Sequence, residues 1–356
     1  MSSVTETISA PPTLRPQRAI IFIVLALLSA GAIALYSYGW RQSLLFLIGS
    51  LLGIVLYHSS FGFASAYRKL IVHREINGIY AQLIMLAIAT LLFAPFLATG
   101  SAFGQAVRGA VAPVGVQGAI GALLFGIGMQ FGGACGCGTL YTIGGGNLKM
   151  LITLGTFCVG AFWASLTRQL WAGLPSVPPI SLGSTLGWTN AVIVQIVLLA
   201  GCAIALWWWS GKRKIDLFSP TQVSIYGSWS LFTGAIALAV LNTLTLILSG
   251  QPWRVTWGFA LWTAKLAQSL GWNPATSPFW SSGSGQQALN QGAFADVSSI
   301  MNFGIVLGAI LAAALAGRWQ VRGRASGIQI VGAIVGGLVM GYGAFLAFGC
   351  NVSAFF

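Results

Sequence analysis

The sequence predicts an all-α polytopic membrane protein of about nine to ten spans, with broken or re-entrant helices and internal repeats. Three observations predict it. Of 356 residues, 56% are hydrophobic and 6% charged, whereas soluble domains run near one-quarter charged. Mean hydropathy is +0.85. A glycine-framed cysteine also recurs: Gly126-Ile127-Gly128 leads to Cys135 as Gly341-Tyr342-Gly343 leads to Cys350, at a constant offset of 350 − 135 = 215 residues.

The first residues, 1–19, are rich in Ser, Thr and Pro, lack the layout of a secretory signal, and read as a disordered cytoplasmic tail. Residues 20–356 read as a single integral membrane transport domain. A hydrocarbon core about 30 Å thick needs roughly 20 apolar residues per helix. Candidate runs of that kind occupy 20–35, 43–63, 79–97, 115–131, 151–171, 191–209, 227–248, 253–270, 298–316 and 328–348. Basic loops should face the cytoplasm. They are the tail with Arg15 and Arg18, a turn with Arg68, Lys69 and Arg74, the Lys212-Arg213-Lys214 run, and the loop with Arg318, Arg322 and Arg324. Segments 172–190 and 271–297 carry no basic residue and belong outside.

Counting crossings from a cytoplasmic N-terminus satisfies these assignments up to Lys212-Arg213-Lys214 and then fails by one. Either 227–248 or 253–270 must dip and return. The second is favoured, because Gln251-Pro252 breaks the chain before it and Arg254 and Lys265 would be costly against lipid. Irregular backbone at membrane depth survives only when it is buried in protein or lines a cavity, so such a segment points to a pathway.

The net charge of +13 does not indicate nucleic acid, since the basic residues lie in short runs between apolar stretches. Only four residues are acidic, which argues against carboxylate-driven proton pumping or acid–base catalysis in the membrane. No cofactor is implied. Zinc fits poorly, because Cys-x-Cys is an unusual ligand spacing and His58 and His73 lie far off.

Within the repeat, Gly121 aligns with Gly336 and Leu123 with Leu338; a weaker third copy runs from Gly53 to Gly62. The three copies fall around 43–75, 115–150 and 328–356. The stretch from Phe131 to Asn147 is so glycine-rich that no uninterrupted helix would keep it. A broken helix presents free N–H groups at the start of its second half, which with the helix dipole favour an anion. Gly132, Gly133, Gly136, Gly138 and Thr139 would present such amides around Cys135 and Cys137, and Asn147 and Asn351 would fix the half-helices. A thiol near pH 7 is mostly neutral, soft and a weak donor. It meets an anion without repelling it, and it favours one that ends in sulfur. The same residues are also compatible with packing alone. Buried cysteine is a common small core residue, and the glycine frames fit small-xxx-small helix contacts at Gly49/Gly53, Gly128/Gly132, Gly304/Gly308, Gly332/Gly336 and Gly337/Gly341. Cys158 and Cys202, mid-span and without a glycine frame, read as packing residues.

Four segments together resemble the bacterial YeeE/YedE family of sulfur-compound transporters. They are 125–130 (FGIGMQ) running into Gly-Gly-x-Cys-x-x-Gly-Thr-Leu-Tyr, Gly349-Cys350-Asn351, 61–68 (FGFASAYR), and Ala260-Leu261-Trp262-x-Ala264-Lys265 after Gln251-Pro252-Trp253. The resemblance covers the chain from about Ser43 onward. It implies an inner-membrane permease that takes up thiosulfate, or a related sulfur or selenium species, and passes it along spaced cysteines, with a cytoplasmic sulfurtransferase as a possible receiver. Cys135 matches the family's central cysteine and Cys350 its C-terminal one. Cys137 stands where Ser is more usual. Gly62 stands where shorter members carry a third cysteine, with Ser60, Ser65 or Arg68 as sources of polarity there. The family pattern continues past Gly-Cys-Asn, so a shortened C-terminus is expected of a chain ending at Phe355-Phe356.

Overall fold

The computed structural model describes residues 15–212, 214–219, 224 and 226–349. Cys350, Asn351 and the first fourteen residues of the expected tail lie outside them. The described end of that tail is ordered: α1 begins at Arg18, and the Gln17 backbone and side chain donate to the carbonyls of Ala314 and Trp319. The described residues are predominantly helical. The only sheet structures among the described residues are the two-residue ribbons β1–β2 (Ser101–Ala102, Gln105–Ala106) and β3–β4 (Val114–Gly115, Ser176–Val177).

Nine stretches of described helix are long and apolar enough to cross a membrane. They are built from α1 (Arg18–Tyr36), α2 and α3 (Trp40–Ser59, Phe63–His73), α4 (Asn77–Thr99), α5 and α6 (Val116–Gly132, Gly136–Gly144), α7 (Lys149–Thr167), α9 (Trp188–Trp209), α10 (Leu231–Ser249), α13 (Val297–Leu315) and α14 (Gly327–Leu346). Three shorter helices, α8 (Leu182–Leu186), α11 (Val255–Ser269) and α12 (Gly283–Asn290), complete the set. Burial grades across the bundle. In α13, 72% of the spanning window is buried, against 6% in α9, whose surface is left to lipid.

Glycine seams bring the central helices together. Gly49 faces Met301 and Gly53 faces Ile305, so α2 and α13 run side by side in one direction. Gly121 faces Gly343 and Gly128 faces Gly336, so α5 and α14 run antiparallel. At the 215-residue offset, Gly121 maps to Gly336 and Gly128 to Gly343, and the first contact pair therefore maps onto the second. The two repeat copies meet as self-complementary halves about a pseudo-two-fold axis, an arrangement found in inverted-repeat transporters.

One expectation is corrected. The basic stretch read as a turn is the helix α3, with Arg68 and Lys69 inside it and Arg74 closing it in the left-handed region at φ 52°. Its exposed cationic face and its buried Phe63, Ala64 and Ala66 make it amphipathic, which a loop reading of the charges misses. The run 253–270, favoured above as the segment that does not cross, is indeed short: α11 has 15 residues, about 22 Å of helix against a core of about 30 Å.

The path of α11 is that of a segment that dips and returns. Gly250, at φ 76°, ends α10, and Pro252 follows. The carbonyl of Val255 then accepts from Asn302 Nδ2 at 3.2 Å in the second turn of α13, while Trp257 Nε1 donates to Asp296, the N-cap of α13, at 3.0 Å. By Lys265 the helix has reached the approach to α13, where Nζ donates to the carbonyls of Leu289 and Gln291. Start and finish lie at one end of α13.

Candidate functional site: a broken-helix thiol centre

The site forms where α5 stops. Gly133 adopts φ +86°, which only glycine holds without strain, and its N–H donates to the Met129 carbonyl at 3.1 Å. Two residues later Cys135 occupies the N-cap of α6 with φ −84° and ψ −176°. Its carbonyl accepts from the Thr139 N–H at 2.8 Å and from Thr139 Oγ1 at 2.9 Å. No side chain caps α6, so the N–H groups of its first turn have no partner inside the helix.

The same turn occurs in α2–α3, and its left-handed residue recurs at the end of α14. Ser60 closes α2 at φ 47° and Gly62, two residues on, is the N-cap of α3. Phe348 stands at φ 62°, two residues before Cys350. A left-handed residue followed two positions later by Gly62, Cys135 or Cys350 is therefore the local form of the repeat.

Two helix starts converge on one sulfur. The backbone amides of Gly138, in the first turn of α6, and of Phe63, the first residue of α3, are directed at the Cys135 sulfur. Each helix N-terminus carries about half a positive charge, so the Cys135 sulfur lies in a field that favours an anion. Cys137 adds a second thiol, with its Sγ 3.5 Å from Cys135 Sγ. Both are buried, at 2% and 0% exposure.

Two residues not singled out as site residues from the sequence, Lys149 and the motif's closing Tyr141, complete the surroundings. Lys149, at the start of α7, brings Nζ to 3.7 Å from where a Cβ on Gly133 would stand. It places a full positive charge against the break. Tyr141 lies across the cluster: its hydroxyl is 3.5 Å from a Cβ position on Gly62, and its ring is 4.0 Å from one on Gly138. The basic character of Lys149 is visible in the sequence, but its reach back across Gly144-Gly145-Gly146 is not.

The remaining expected residues divide between the break and elsewhere. Gly132 and Gly136 flank the break; Gly132 also packs against Thr153 and the Gly336–Gly337 backbone at the midpoint of α14. Ser65 donates to the Gly62 carbonyl at 3.0 Å, and its Oγ is 2.6 Å from the Gly62 Cβ position. Arg68 is exposed on α3. Asn147 Oδ1 accepts from the Lys149 N–H at 3.2 Å and so ties down the start of α7, away from the thiols. Lys265 is engaged with the carbonyls of Leu289 and Gln291 and is not part of the break. Cys158 is buried in α7 and Cys202 is exposed on α9. Among the described residues, no group of three or more His, Cys, Asp or Glu could hold a metal ion.

One cavity reaches the thiol cluster at Tyr141, and another reaches the residues before Cys350. The first, of about 760 Å³, has Tyr57, Tyr141, Asn147, Arg318 and Arg322 in its wall. The other, of about 600 Å³, is lined by Arg168, Arg254, Thr256 and Trp257 and reaches Phe348 and Gly349, the residues that lead into Cys350. The re-entrant segment thus contributes Arg254, Thr256 and Trp257 to a cavity wall.

A family model described as Sulphur transport matches residues 58–356. The thiosulfate transporter TsuA of Spirochaeta thermophila is 27% identical over 337 residues, covering 87% of this chain and 88% of that protein. TsuA of Escherichia coli is 25% identical over 320 residues, covering 85% and 83%. The probable transporter YedE of Escherichia coli is 31% identical over 128 residues, which cover 36% of this chain and 31% of YedE.

Proposed function

The chain belongs to the Sulphur transport family, and on that premise we propose that it is an inner-membrane permease for thiosulfate or a closely related sulfur-bearing anion, which passes the thiols of Cys135 and Cys350. The observation that carries this reading is the convergence of the α3 and α6 N-termini on the Cys135 sulfur, with the Lys149 ammonium beside the break. Amides and ammonium offset the dianion's charge at membrane depth, where an uncompensated charge is costly. The thiols of Cys135 and Cys137 offer soft sulfur contacts to its terminal sulfur.

The repeat supports a second contact at Cys350, because the left-handed turn at Phe348 reproduces that at Gly133. Gly62, at the third copy, supplies no thiol; Ser65 and the Tyr141 hydroxyl are the polar groups there. The reading is passage without covalent chemistry. Placing the basic loops in the cytoplasm puts the N-terminus and the Arg318–Arg322 cavity on that side, where a sulfurtransferase would receive the cargo.

The test is uptake of ³⁵S-thiosulfate into cells or proteoliposomes carrying the full-length chain, with unlabelled sulfate and thiosulfate as competitors. Uptake should be saturable, and thiosulfate should compete far better than sulfate. Equal competition by sulfate would remove the basis for a sulfur-reading thiol site.

A further inference from the structure

The cavity walled by Arg318 and Arg322 is chemically unlike the thiol break. Both arginines project from the α13–α14 connection into a space of about 760 Å³, with Tyr57 and Asn147 in the same wall. No carboxylate lines that cavity among the described residues, and the one ion pair among them is Lys69 with Glu75. The remaining described carboxylates are engaged elsewhere: Asp216 accepts from the Ser219 N–H, and Asp296 caps α13. Two guanidinium groups therefore face an open cavity without an acidic partner.

Guanidinium recognises planar or tetrahedral oxyanions through paired N–H donors, and it reads oxygen, not sulfur. The cavity has room for an anion that keeps part of its hydration shell, and a positively lined cleft raises the local concentration of anions. Tyr141 belongs to this cavity wall and also to the thiol cluster, so the two sites share a partition.

We propose that this cavity is a second anion site in series with the thiol break, which takes hydrated oxyanions on Arg318 and Arg322 and does not distinguish sulfate from thiosulfate. Its place in series rests on the transport reading; the binding itself does not. Selection then belongs to the break, where the cargo meets amides and thiols. On uptake the cargo meets the break first, so sulfate reaches the arginines only from the cytoplasmic side, where it is held and goes no further.

The experiment is equilibrium binding of ³⁵S-sulfate to the purified full-length protein in detergent, for wild type, the R318Q/R322Q double variant and Cys135→Ala. Both arginine side chains are exposed, and the local pairing of Arg322 with Gly146 is made by its backbone N–H, so the double variant keeps the fold. Wild type should bind sulfate saturably, the double variant at least about tenfold more weakly, and Cys135→Ala as wild type does. Absence of binding in wild type, equal binding in the double variant, or loss in Cys135→Ala would each overturn the proposal.

A lipid headgroup presents the same oxyanion chemistry. Phosphatidylcholine nanodiscs with and without phosphatidylglycerol separate the sources: unchanged sulfate affinity supports a solute site, and displacement by phosphatidylglycerol overturns it. Sulfate binding that depends on the arginines in a protein that fails to carry thiosulfate would sink the transport reading and leave this site standing. The opposite result, thiosulfate uptake with arginine-independent sulfate binding, would sink this proposal alone.

Discussion

Adding one methyl group at Gly121 should damage the protein in a way that the same change five residues later does not. A Cβ at Gly121 would stand 2.6 Å from the Ala347 nitrogen and 2.9 Å from the Gly343 oxygen. Ordinary contact begins at about 3.5 Å, so α5 and α14 must part by roughly 0.9 Å at that point. Gly126 lies in the same helix and has nothing within 4 Å of its Cβ position. Each Gly→Ala change gains about 0.5–1 kcal/mol of helix propensity, and that gain cancels in the comparison. What is left is the overpacking cost at Gly121, about 1–3 kcal/mol. Ala347 immediately precedes Phe348 and Gly349, so the wedge also disturbs the described residues that lead toward Cys350. The assay is denaturant unfolding in detergent followed by tryptophan fluorescence, with thiosulfate uptake measured in parallel. Gly121→Ala should be less stable than Gly126→Ala by that margin and should transport poorly. Equal stability of the two variants would refute the close-approach account of the α5–α14 seam.

Other consequences follow from single contacts. Lys149→Met should raise the half-saturating thiosulfate concentration about tenfold or more at unchanged expression, and Lys149→Arg should restore part of it; an unchanged concentration dependence would separate the ammonium from the cargo. Trp280→Phe removes the 2.7 Å bond from its indole N–H to Ser165 Oγ, both groups being buried, and should cost about 1–3 kcal/mol in unfolding; adding Ser165→Ala should cost little more. Asp296→Ala deletes an acceptor for the Ser299 N–H and hydroxyl, both at 2.8 Å, and for Trp257 Nε1. It should destabilise α13 by about 1–2 kcal/mol and increase proteolysis within α11, whereas Asp296→Asn, which keeps an acceptor, should lose less.

Much of this architecture is legible because it is written in local patterns. The α5–α6 break follows from the glycines between Phe131 and Asn147, and every glycine pair read as a small-xxx-small contact has at least one member pressed against another helix. The mismatch in the positive-inside count locates the dipping segment, and the helix-breaking Gln251-Pro252 marks where it begins. What cannot be read is convergence. Phe63 and Gly138 are 75 residues apart (138 − 63) in sequence, and no periodicity says that two helix starts should aim at one sulfur. The helix α3 is hidden by its charges: Arg68, Lys69 and Arg74 look like a loop until the buried Phe63, Ala64 and Ala66 show one face packed. Lys149 and Tyr141 escape for the same reason as the convergence, since each acts through a neighbour brought in by the fold. Lys265, singled out for its burial cost, meets that cost locally through two carbonyls.

The most direct test of the account is the initial rate of ³⁵S-thiosulfate uptake in proteoliposomes for Cys135→Ala, Cys350→Ala and Cys202→Ala, each at matched protein content. The thiol account predicts that the first two lose most of their uptake and that the third transports as wild type does. Wild-type rates in Cys135→Ala and Cys350→Ala would contradict it.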